Sequence, residues 1–582
     1  MSNPALAAPP RRFFSLPARI SQDRLKGILI LLACLWMVLV VLCPVGTLLA
    51  KSFTNDAGKF VGLANYITYF NSPSLSRSLG NSLFTALVTT AVSVTLGLAL
   101  ALALTRTCIP GKGIFKGMAL MPLFAPTLLN GIVLIYLFGR KGLITKGFFG
   151  LLPGIKIPLY GPVGLILSEV IYTFPQAMLI LTIALGITDA RLYEAARSLG
   201  AGAMRTFFTV TLPSLKYGLI SAVFVCFIRS FTDFGAPKVV GGNFNILATD
   251  IYKQVIGQQN FVMGAVVSVV LLVPTVMAFI VDQIIQKKQV ALIAAKSVPL
   301  VPKPHRLRDG VALAFCCLVA LLVLAFYATG LFAALVKVWP YNLSLGFTHF
   351  QFSGTGGGGY GAFFNSLRMS LYSAVAGTAL TFGSAYLIEK VTAFPELRRT
   401  AYFLSILPLA LPGLVIGLAY IFFFNAPVLP GTGLPNPFQF LYATMGILVL
   451  SNIVHFYTVS FLSATTALKQ LDREFEQVSD AMGVPFYKTF FRVTLPVCLP
   501  AVLEMGIYYF VNSMATVSAV IFLYSADIPL AAVAIANMDD AGDIAPACAM
   551  SILVLGTNIL VRLLYSLLTR NLRQRNTAWA TR

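Results

Sequence analysis

Long apolar segments separated by short polar ones dominate the pattern along this chain of 582 residues. Twelve of these segments approach or exceed the roughly 20 residues that a helix needs to cross a bilayer. The chain lacks the alternating polarity of lipid-spanning strands, so the pattern predicts an all-α membrane protein of about 12 transmembrane helices. The predicted spans lie near residues 27–50, 80–104, 118–138, 161–185, 217–236, 261–283, 310–336, 366–389, 400–425, 440–464, 498–524 and 546–569.

The twelve segments form two sets of six, and three motifs of the first set recur in the second. The offsets between the copies are 284, 286 and 283 residues, nearly constant over more than a hundred residues. Constant spacing of this kind indicates a tandem duplication. Because six spans are an even number, the two copies are predicted to be parallel in the membrane. The motif pairs begin at Asn81 and Asn365, at Met121 and Leu407, and at Thr206 and Thr489.

The duplication predicts a domain organisation with a basic, proline-bearing linker between the halves. The apolar segment near the N-terminus is too long for a signal-peptide core, so we expect it to be an uncleaved first span. The predicted units are a cytoplasmic N-terminal tail (1–26), a first six-helix domain (27–285), a cytoplasmic linker (286–309), a second six-helix domain (310–570) and a cytoplasmic C-terminal tail (571–582).

Composition and charge support a membrane protein and argue against other classes. Hydrophobic residues make up 58% of the chain and charged residues 11%, whereas soluble proteins carry about 25% charged residues. The net charge of +22 is explained by topology, because 30 of the 42 Lys and Arg residues fall in segments on one side of the membrane and 11 on the other. The positive-inside rule then places both ends of the chain in the cytoplasm, and no nucleic-acid partner is needed.

No residues typical of covalent chemistry or metal binding stand out. The eight cysteines lie in or beside apolar segments without a CxxC pair, which predicts small buried hydrophobes and no metal site. The phosphate-binding pattern GxxxxGK[ST] is absent, and GxGxxG at 354–359 lies in a predicted outside loop, which favours a flexible loop. We therefore expect no enzyme activity and no cofactor bound by this chain.

The longest conspicuously polar loop of each half is predicted on the cytoplasmic side, between the fourth and fifth spans. In the first half, Asp189 is suited to begin a helix and Gly200 to end it. A second short helix is expected to approach Pro213 and lead into the fifth span. Two short helices therefore fit this loop.

The sequence of this loop resembles the EAA loop of permease subunits of binding-protein-dependent ABC importers. A Glu-Ala-Ala triplet is followed by Gly-Ala and, after an aromatic stretch, by Leu-Pro. The resemblance implies a coupling helix that docks in a groove of a cytoplasmic ATPase, where small residues allow close approach. It implies this role for Glu194, Ala195, Ala196, Gly200 and Ala201.

The second copy departs from the pattern. When the loops are aligned on Gly483, Gln477 stands at the position of Glu194, and Glu476 is expected to stand in for the acid one position earlier. An interfacial amphipathic helix is the alternative interpretation of each loop. The residues implied for the second coupling contact are Glu476, Gln477, Ser479, Ala481 and Gly483.

The resemblance covers most of the chain and implies two fused type-1 ABC permease domains of the ferric-iron and 2-aminoethylphosphonate branch. It implies a bacterial inner-membrane location, two copies of an ATPase that binds ATP and Mg, and a periplasmic substrate-binding protein. 2-Aminoethylphosphonate is the favoured substrate and ferric iron the alternative. An ion-coupled secondary transporter is the alternative from a different class. The stretches that favour the phosphonate branch are 233–243, 248–260, 339–343 and 455–458.

Several polar residues fall within predicted spans, where burial is costly and polar side chains often line a cavity or pair with one another. Arg229 and Asp233 are four residues apart, which on a helix places them on one face, where they can neutralise each other. The residues expected to line a translocation pathway are Glu169, Arg229, Asp233, His455 and Asn512. Hydrogen bonds that fix helix packing remain the alternative.

Overall fold

A computed structural model describes residues 22–292, 298, 300–352, 357–429, 433–472 and 474–580, without the side chains of 286–292 and 570–580. The predicted N-terminal tail up to residue 21, parts of the linker and most of the glycine-rich stretch after Phe352 lie outside the described residues. Within the described part, α-helices dominate, and the last helix continues to Ala580, into the predicted C-terminal tail.

The first half of the described chain contains fifteen α-helices. They are α1 Gln22–Met37, α2 Cys43–Ser52, α3 Ala64–Asn71, α4 Pro73–Arg106, α5 Lys112–Ala119, α6 Thr127–Phe138, α7 Gly147–Gly150, α8 Pro162–Gly186, α9 Ala190–Ser198, α10 Ala203–Thr206, α11 Leu212–Ser214, α12 Lys216–Thr232, α13 Gly235–Val240, α14 Leu247–Tyr252 and α15 Phe261–Leu292.

The second half contains eleven α-helices and one strand pair among its described residues. They are α16 Arg306–Leu335, β1 Val336–Val338, β2 Asn342–Leu345, α17 Gly359–Glu389, α18 Pro395–Ile406, α19 Gly413–Phe424, α20 Met445–Lys469, α21 Glu474–Ala481, α22 Phe486–Thr489, α23 Leu495–Val497, α24 Leu499–Ala515, α25 Ala531–Asp540 and α26 Ile544–Ala580. The short antiparallel pair β1–β2 lies between two spans, so it does not conflict with the expectation that no strand crosses the membrane.

Eight helices of the described chain are long and apolar enough to cross a membrane, and three bent helix pairs bring the number to as many as eleven. The shorter helix α6 overlaps the remaining predicted segment, the one near 118–138. Each predicted span overlaps one of these elements, so the prediction of an all-α membrane protein is confirmed.

Three spans are bent helix pairs, and the third span of the first half is interrupted before α6. The pair formed by 395–410 and 413–424 bends by 110°, and proline explains the break, because Pro412 lacks the amide hydrogen that a continuing helix would need. Pro126 occupies the same place before α6. The fifth span bends by 69° in the first half, after a segment that contains Pro213. It bends by 78° in the second half, after a segment that contains Pro496.

The first span of each half packs against the other half. Tyr420 of α19 donates a buried hydrogen bond of 2.9 Å to the carbonyl of Val40, between α1 and α2. In the opposite sense, Tyr327 of α16 donates to the side-chain oxygen of Asn130 in α6 over 3.0 Å. Because each first span packs against the other half, the two sequence repeats share one large hydrophobic core.

Candidate functional site

The loop between the fourth and fifth spans of the first half has the predicted two-part form. The Asp189 side chain accepts a hydrogen bond of 3.0 Å from the amide of Arg191 and caps α9. Gly200 follows the helix with φ of +72°, a left-handed conformation that glycine adopts without steric cost. Local sequence therefore determines where this helix begins and ends.

The implied coupling residues of the first loop divide between an exposed and a buried face. Glu194, Ala195 and Gly200 are exposed, Ala201 is half-buried, and Ala196 is buried at 8% exposure. The carbonyl of Ala196 accepts a hydrogen bond of 2.9 Å from the amide of Ala201, which closes the turn. The exposed face is therefore accessible to a partner.

The second loop repeats this geometry despite its different sequence. Gln477, Ala481 and Gly483 are exposed, Ser479 is buried, and Gly483 has φ of +66°. The carbonyl of Ser479 accepts a 2.9 Å hydrogen bond from the amide of Val484, the equivalent of the bond that closes the first turn. Both loops therefore present equivalent helices on the same side of the molecule.

Glu476 does not stand in for Glu194, which corrects the expectation from sequence. Its carboxylate forms an ion pair of 3.2 Å with Lys390, and its side chain is only 16% exposed. The reason is helical geometry, because one residue along a helix turns the side chain by about 100°. Gln477 occupies the exposed position, so the second helix presents an amide where the first presents a carboxylate.

A polar cavity of about 90 Å³ lies between the two halves, at the point where the broken spans meet. Four of the five residues predicted for the pathway line it: Arg229, Asp233, His455 and Asn512. The structure thus brings together residues that are up to 283 positions apart in sequence. The fifth, Glu169, is fully buried, and its carboxyl faces that of Asp233.

Arg229 and Asp233 do not form the expected ion pair. Helix α12 ends at Thr232, and Asp233 has an extended backbone that turns its side chain away from the helical face. Asp233 instead accepts a hydrogen bond of 3.1 Å from the amide of Ala236, at the start of α13. Spacing by four residues aligns side chains only while the helix continues.

Two tyrosines hold the guanidinium of Arg229. Tyr172 of the first half accepts a hydrogen bond of 3.2 Å from Nη1, and Tyr508 of the second half also interacts with the guanidinium. Neither tyrosine stands out in the sequence as a pathway residue, because apolar helices commonly carry tyrosines. Arg229 therefore connects the halves through neutral hydroxyl groups.

Nδ1 of His455 is buried at the cavity without a hydrogen-bond partner among the described residues. In the described part of the chain, the carboxyl group of Glu169, behind the cavity, has only the carboxyl group of Asp233 beside it. Unsatisfied polar atoms at membrane depth are costly and typically mark functional positions. The cavity thus offers the cation of Arg229 and the carboxyl group of Asp233 close to the imidazole of His455, with Glu169 buried behind Asp233.

An ion pair closes the opposite face of the molecule, away from the loop helices. Lys238 of α13 lies 2.7 Å from Asp540 of α25 and donates a second hydrogen bond of 3.0 Å to the carbonyl of Ala536. The Lys238 side chain is only 6% exposed. Sequence reasoning missed this contact, because no local pattern relates two charges that are 302 residues apart.

Replacing Asp539 and replacing its neighbour Asp540 are expected to change the stability of the protein in opposite directions. Burial raises the pKa of Asp539 to about 6 from 3.8, so the folded protein binds this proton more tightly than the unfolded chain does. The stabilisation that this proton provides is therefore lost as pH rises from about 4 to 6. Above pH 6, Asp539→Asn should raise the free energy of unfolding by at most about 3 kcal/mol. Asp540→Asn removes the charged partner of Lys238 and should lower the free energy of unfolding by about 1 kcal/mol.

Thermal unfolding of the full chain in nanodiscs at pH 4.5 and 7.5 checks both expectations. The gain from Asp539→Asn should be larger at pH 7.5 than at pH 4.5. A gain of equal size at both pH values would contradict the assignment.

A family model described as the binding-protein-dependent transport system inner membrane component matches residues 93–290 and 363–574. These ranges cover well over half of the chain. The chain belongs to this family. Because the model matches twice, the predicted tandem duplication is confirmed, and this permease is a fusion of two family domains. The matched ranges contain both loop helices and every residue of the predicted pathway.

Individual relatives of this permease carry names from several transport systems. It is 28% identical over 448 residues to the ferric transport system permease protein FbpB of Actinobacillus pleuropneumoniae, covering 75% of this chain and 63% of that protein. It is 27% identical over 425 residues to the putative ferric transport system permease protein FbpB 1 of Haemophilus influenzae, covering 71% and 65%. The alignments thus span slightly less than two thirds of these relatives.

Shorter and weaker similarities extend the comparison. The molybdenum transport system permease protein ModB of Escherichia coli is 35% identical over 133 residues, which cover 23% of this chain and 57% of that protein. A solved bacterial ABC transporter involved in the import of alginate has a TM-score of 0.40 at 16% identity, covering 47% of this chain and 97% of that chain.

Proposed function

We propose that this permease is the fused membrane subunit of an ATP-driven importer, with both loop helices on the cytoplasmic side. Two copies of an ATPase would bind at α9 and α21, and a periplasmic binding protein would deliver the solute to the opposite face. The observation that carries the proposal is the pair of equivalent exposed helices on one side of a duplicated chain. The excess of basic residues on that side supports the orientation.

Transport would proceed by alternating access around the polar cavity. The cavity lies between the halves, and the ion pair of Lys238 with Asp540 closes one face. ATPase closure that moves the two loop helices would rock the halves against each other and open that face. ATP and Mg would bind only to the partner ATPase, since this chain supplies no phosphate-binding loop.

The favoured solute is 2-aminoethylphosphonate. Its phosphonate is complementary to the guanidinium of Arg229, and its ammonium is complementary to the carboxyl group of Asp233. The sequence stretches that resemble phosphonate permeases include the segment that begins at Asp233. A cavity that offers both signs of charge suits a solute that carries both.

Ferric iron is the second candidate, and the two FbpB relatives favour it. Uptake of labelled 2-aminoethylphosphonate and of labelled ferric iron, in cells with and without this gene, decides between the candidates. Loss of phosphonate uptake alone supports the first, and loss of iron uptake alone supports the second. If neither changes, both substrate proposals fail.

Purification of the tagged chain tests the proposed coupling separately from the substrate. An ATPase should co-purify, and Gly200→Val should reduce its recovery and the uptake rate by about tenfold, because a left-handed residue other than glycine costs about 1–2 kcal/mol. Gly186→Val is the matched control, since that glycine is helical and has open space around it. Normal uptake without any ATPase would instead indicate an ion-coupled transporter.

A further inference from the structure

A basic residue lies at the end of the second span of each half, on the side of the loop helices. Arg106 ends α4, and Lys390 directly follows α17. They are 284 residues apart, the spacing of the repeat, so they occupy equivalent positions. The Lys390 side chain is only 5% exposed, so its charge lies within the protein.

In the first half, this cation is held by the loop helix through an aromatic side chain. Arg106 donates hydrogen bonds to the carbonyl of Leu185 over 3.1 Å, to the hydroxyl of Thr188, and to the hydroxyl of Tyr193 over 3.3 Å. Its guanidinium also lies 5.0 Å from the centre of the Tyr193 ring. Tyr193 belongs to α9, so this contact ties the loop helix to the second span.

In the second half, the equivalent contact is ionic. Lys390 pairs with Glu476 of α21 over 3.2 Å and donates a hydrogen bond of 3.1 Å to the carbonyl of Leu471. Glu476 stands 283 residues after Tyr193, again at the repeat spacing. The same place in the fold thus carries an arginine with a tyrosine in one copy and a lysine with a glutamate in the other.

A cavity of about 340 Å³ lies beside the second contact and is lined by Lys26, Tyr386, Lys390, Glu476 and Phe486, among others. Oε1 of Glu476 is buried without a hydrogen-bond partner among the described residues. Lys390 therefore holds α21 itself through one ion pair, which lies next to open space. Arg106 likewise reaches α9 through one side chain, Tyr193, because its other two acceptors, Leu185 and Thr188, precede that helix.

We propose that these two pairs are positioning contacts that hold each loop helix against its second span, and that only the second depends on charge. The first contact holds α9 through a neutral tyrosine, whereas the second holds α21 through an ion pair. The departure of the second loop from the Glu-Ala-Ala pattern follows, because its acid is recruited to bind Lys390 and not an external partner. The role of these contacts in coupling rests on the proposed function, but the contacts themselves do not.

Hydrogen–deuterium exchange of the full chain in nanodiscs tests the contacts without any partner. Glu476→Gln keeps the shape of the side chain but removes its charge, and should speed exchange of the α21 amides by about tenfold while α9 is unchanged. The charge reversal Lys390→Glu with Glu476→Lys should restore slow exchange, whereas Lys390→Glu alone should not. Tyr193→Phe is the matched change in α9, and it should have a smaller effect because the phenylalanine ring keeps its contact with the guanidinium of Arg106.

Two results would overturn the proposal: unchanged exchange in Glu476→Gln, or failure of the reversed pair to slow exchange again. Equal acceleration in both loop helices would also overturn it, because it would show general destabilisation. ATPase recovery with the same variants is a separate measurement. If exchange changes as expected but no ATPase ever co-purifies, the positioning contacts stand and the proposed function fails.

Discussion

Replacing Arg229 with leucine is expected to reduce solute uptake at least tenfold while the protein still inserts in the membrane. The guanidinium is the cation of the central cavity, and it joins the halves through Tyr172 and Tyr508. Leucine removes the group complementary to an anion and leaves the tyrosine hydroxyls without this partner. Unpaired polar groups in a low-dielectric site cost about 1–3 kcal/mol each, enough for a tenfold effect or more.

The repeat supplies a matched control for this substitution. Asn512 is the equivalent of Arg229 in the second half, and its amide is already bonded to the backbone carbonyl of Tyr508 over 2.7 Å. Asn512→Leu removes a polar side chain from the same cavity without removing a charge, so we expect a much smaller loss of uptake. Membrane abundance and uptake of labelled solute are measured for both variants. Equal effects would show that the charge of Arg229 has no special role.

Replacing Gly97 with leucine is expected to prevent correct packing of the first half, with the largest loss of stability among the changes considered. Gly97 lies where α4 and α8 come into close contact. A Cβ atom there would lie 2.7 Å from Cβ of Ala177 and 2.8 Å from the amide nitrogen of Met178. Because the obstacle includes backbone, neither helix can accommodate a larger side chain without separating from the other.

Overpacking of this kind costs about 1–3 kcal/mol even for small additions, and leucine adds four carbons. Gly80→Leu is the control, since Gly80 is on the same helix and has nothing within 4 Å of an added Cβ. We expect Gly97→Leu to lower both membrane abundance and thermal stability, whereas Gly80→Leu should change neither appreciably. Comparable stability of the two variants would show that α4 and α8 do not require the close approach.

The loop helices were predicted well because their ends depend on neighbouring residues. Asp189 caps its helix through an amide two residues away, and Gly200 adopts its left-handed conformation within the same segment. Such short-range interactions can be recognised from sequence alone. The bends at the repeated prolines are local for the same reason, since a missing amide hydrogen acts where the proline stands.

The structure groups most of the polar residues expected to line a pathway, but it does not pair two of them as expected. Arg229 and Asp233 were recognisable as charged residues within a predicted apolar span, and the structure places both at one cavity. Their expected pairing was wrong because the helix ends between them, a detail of one residue that the apolar pattern does not specify. Glu476 was misassigned in a similar way, since its partner Lys390 is 86 residues away.

The sequence by itself determined the membrane class, the positions of the spans, the duplication and the two loop helices. Each depends on hydrophobicity along a segment, on repetition, or on contacts within a few residues. Only the tertiary structure decided which side of each loop helix is buried, that each first span packs against the other half, and which charged side chains form ion pairs. Those outcomes depend on side chains of distant segments, such as Lys238 and Asp540, and packing alone brings them within reach of each other.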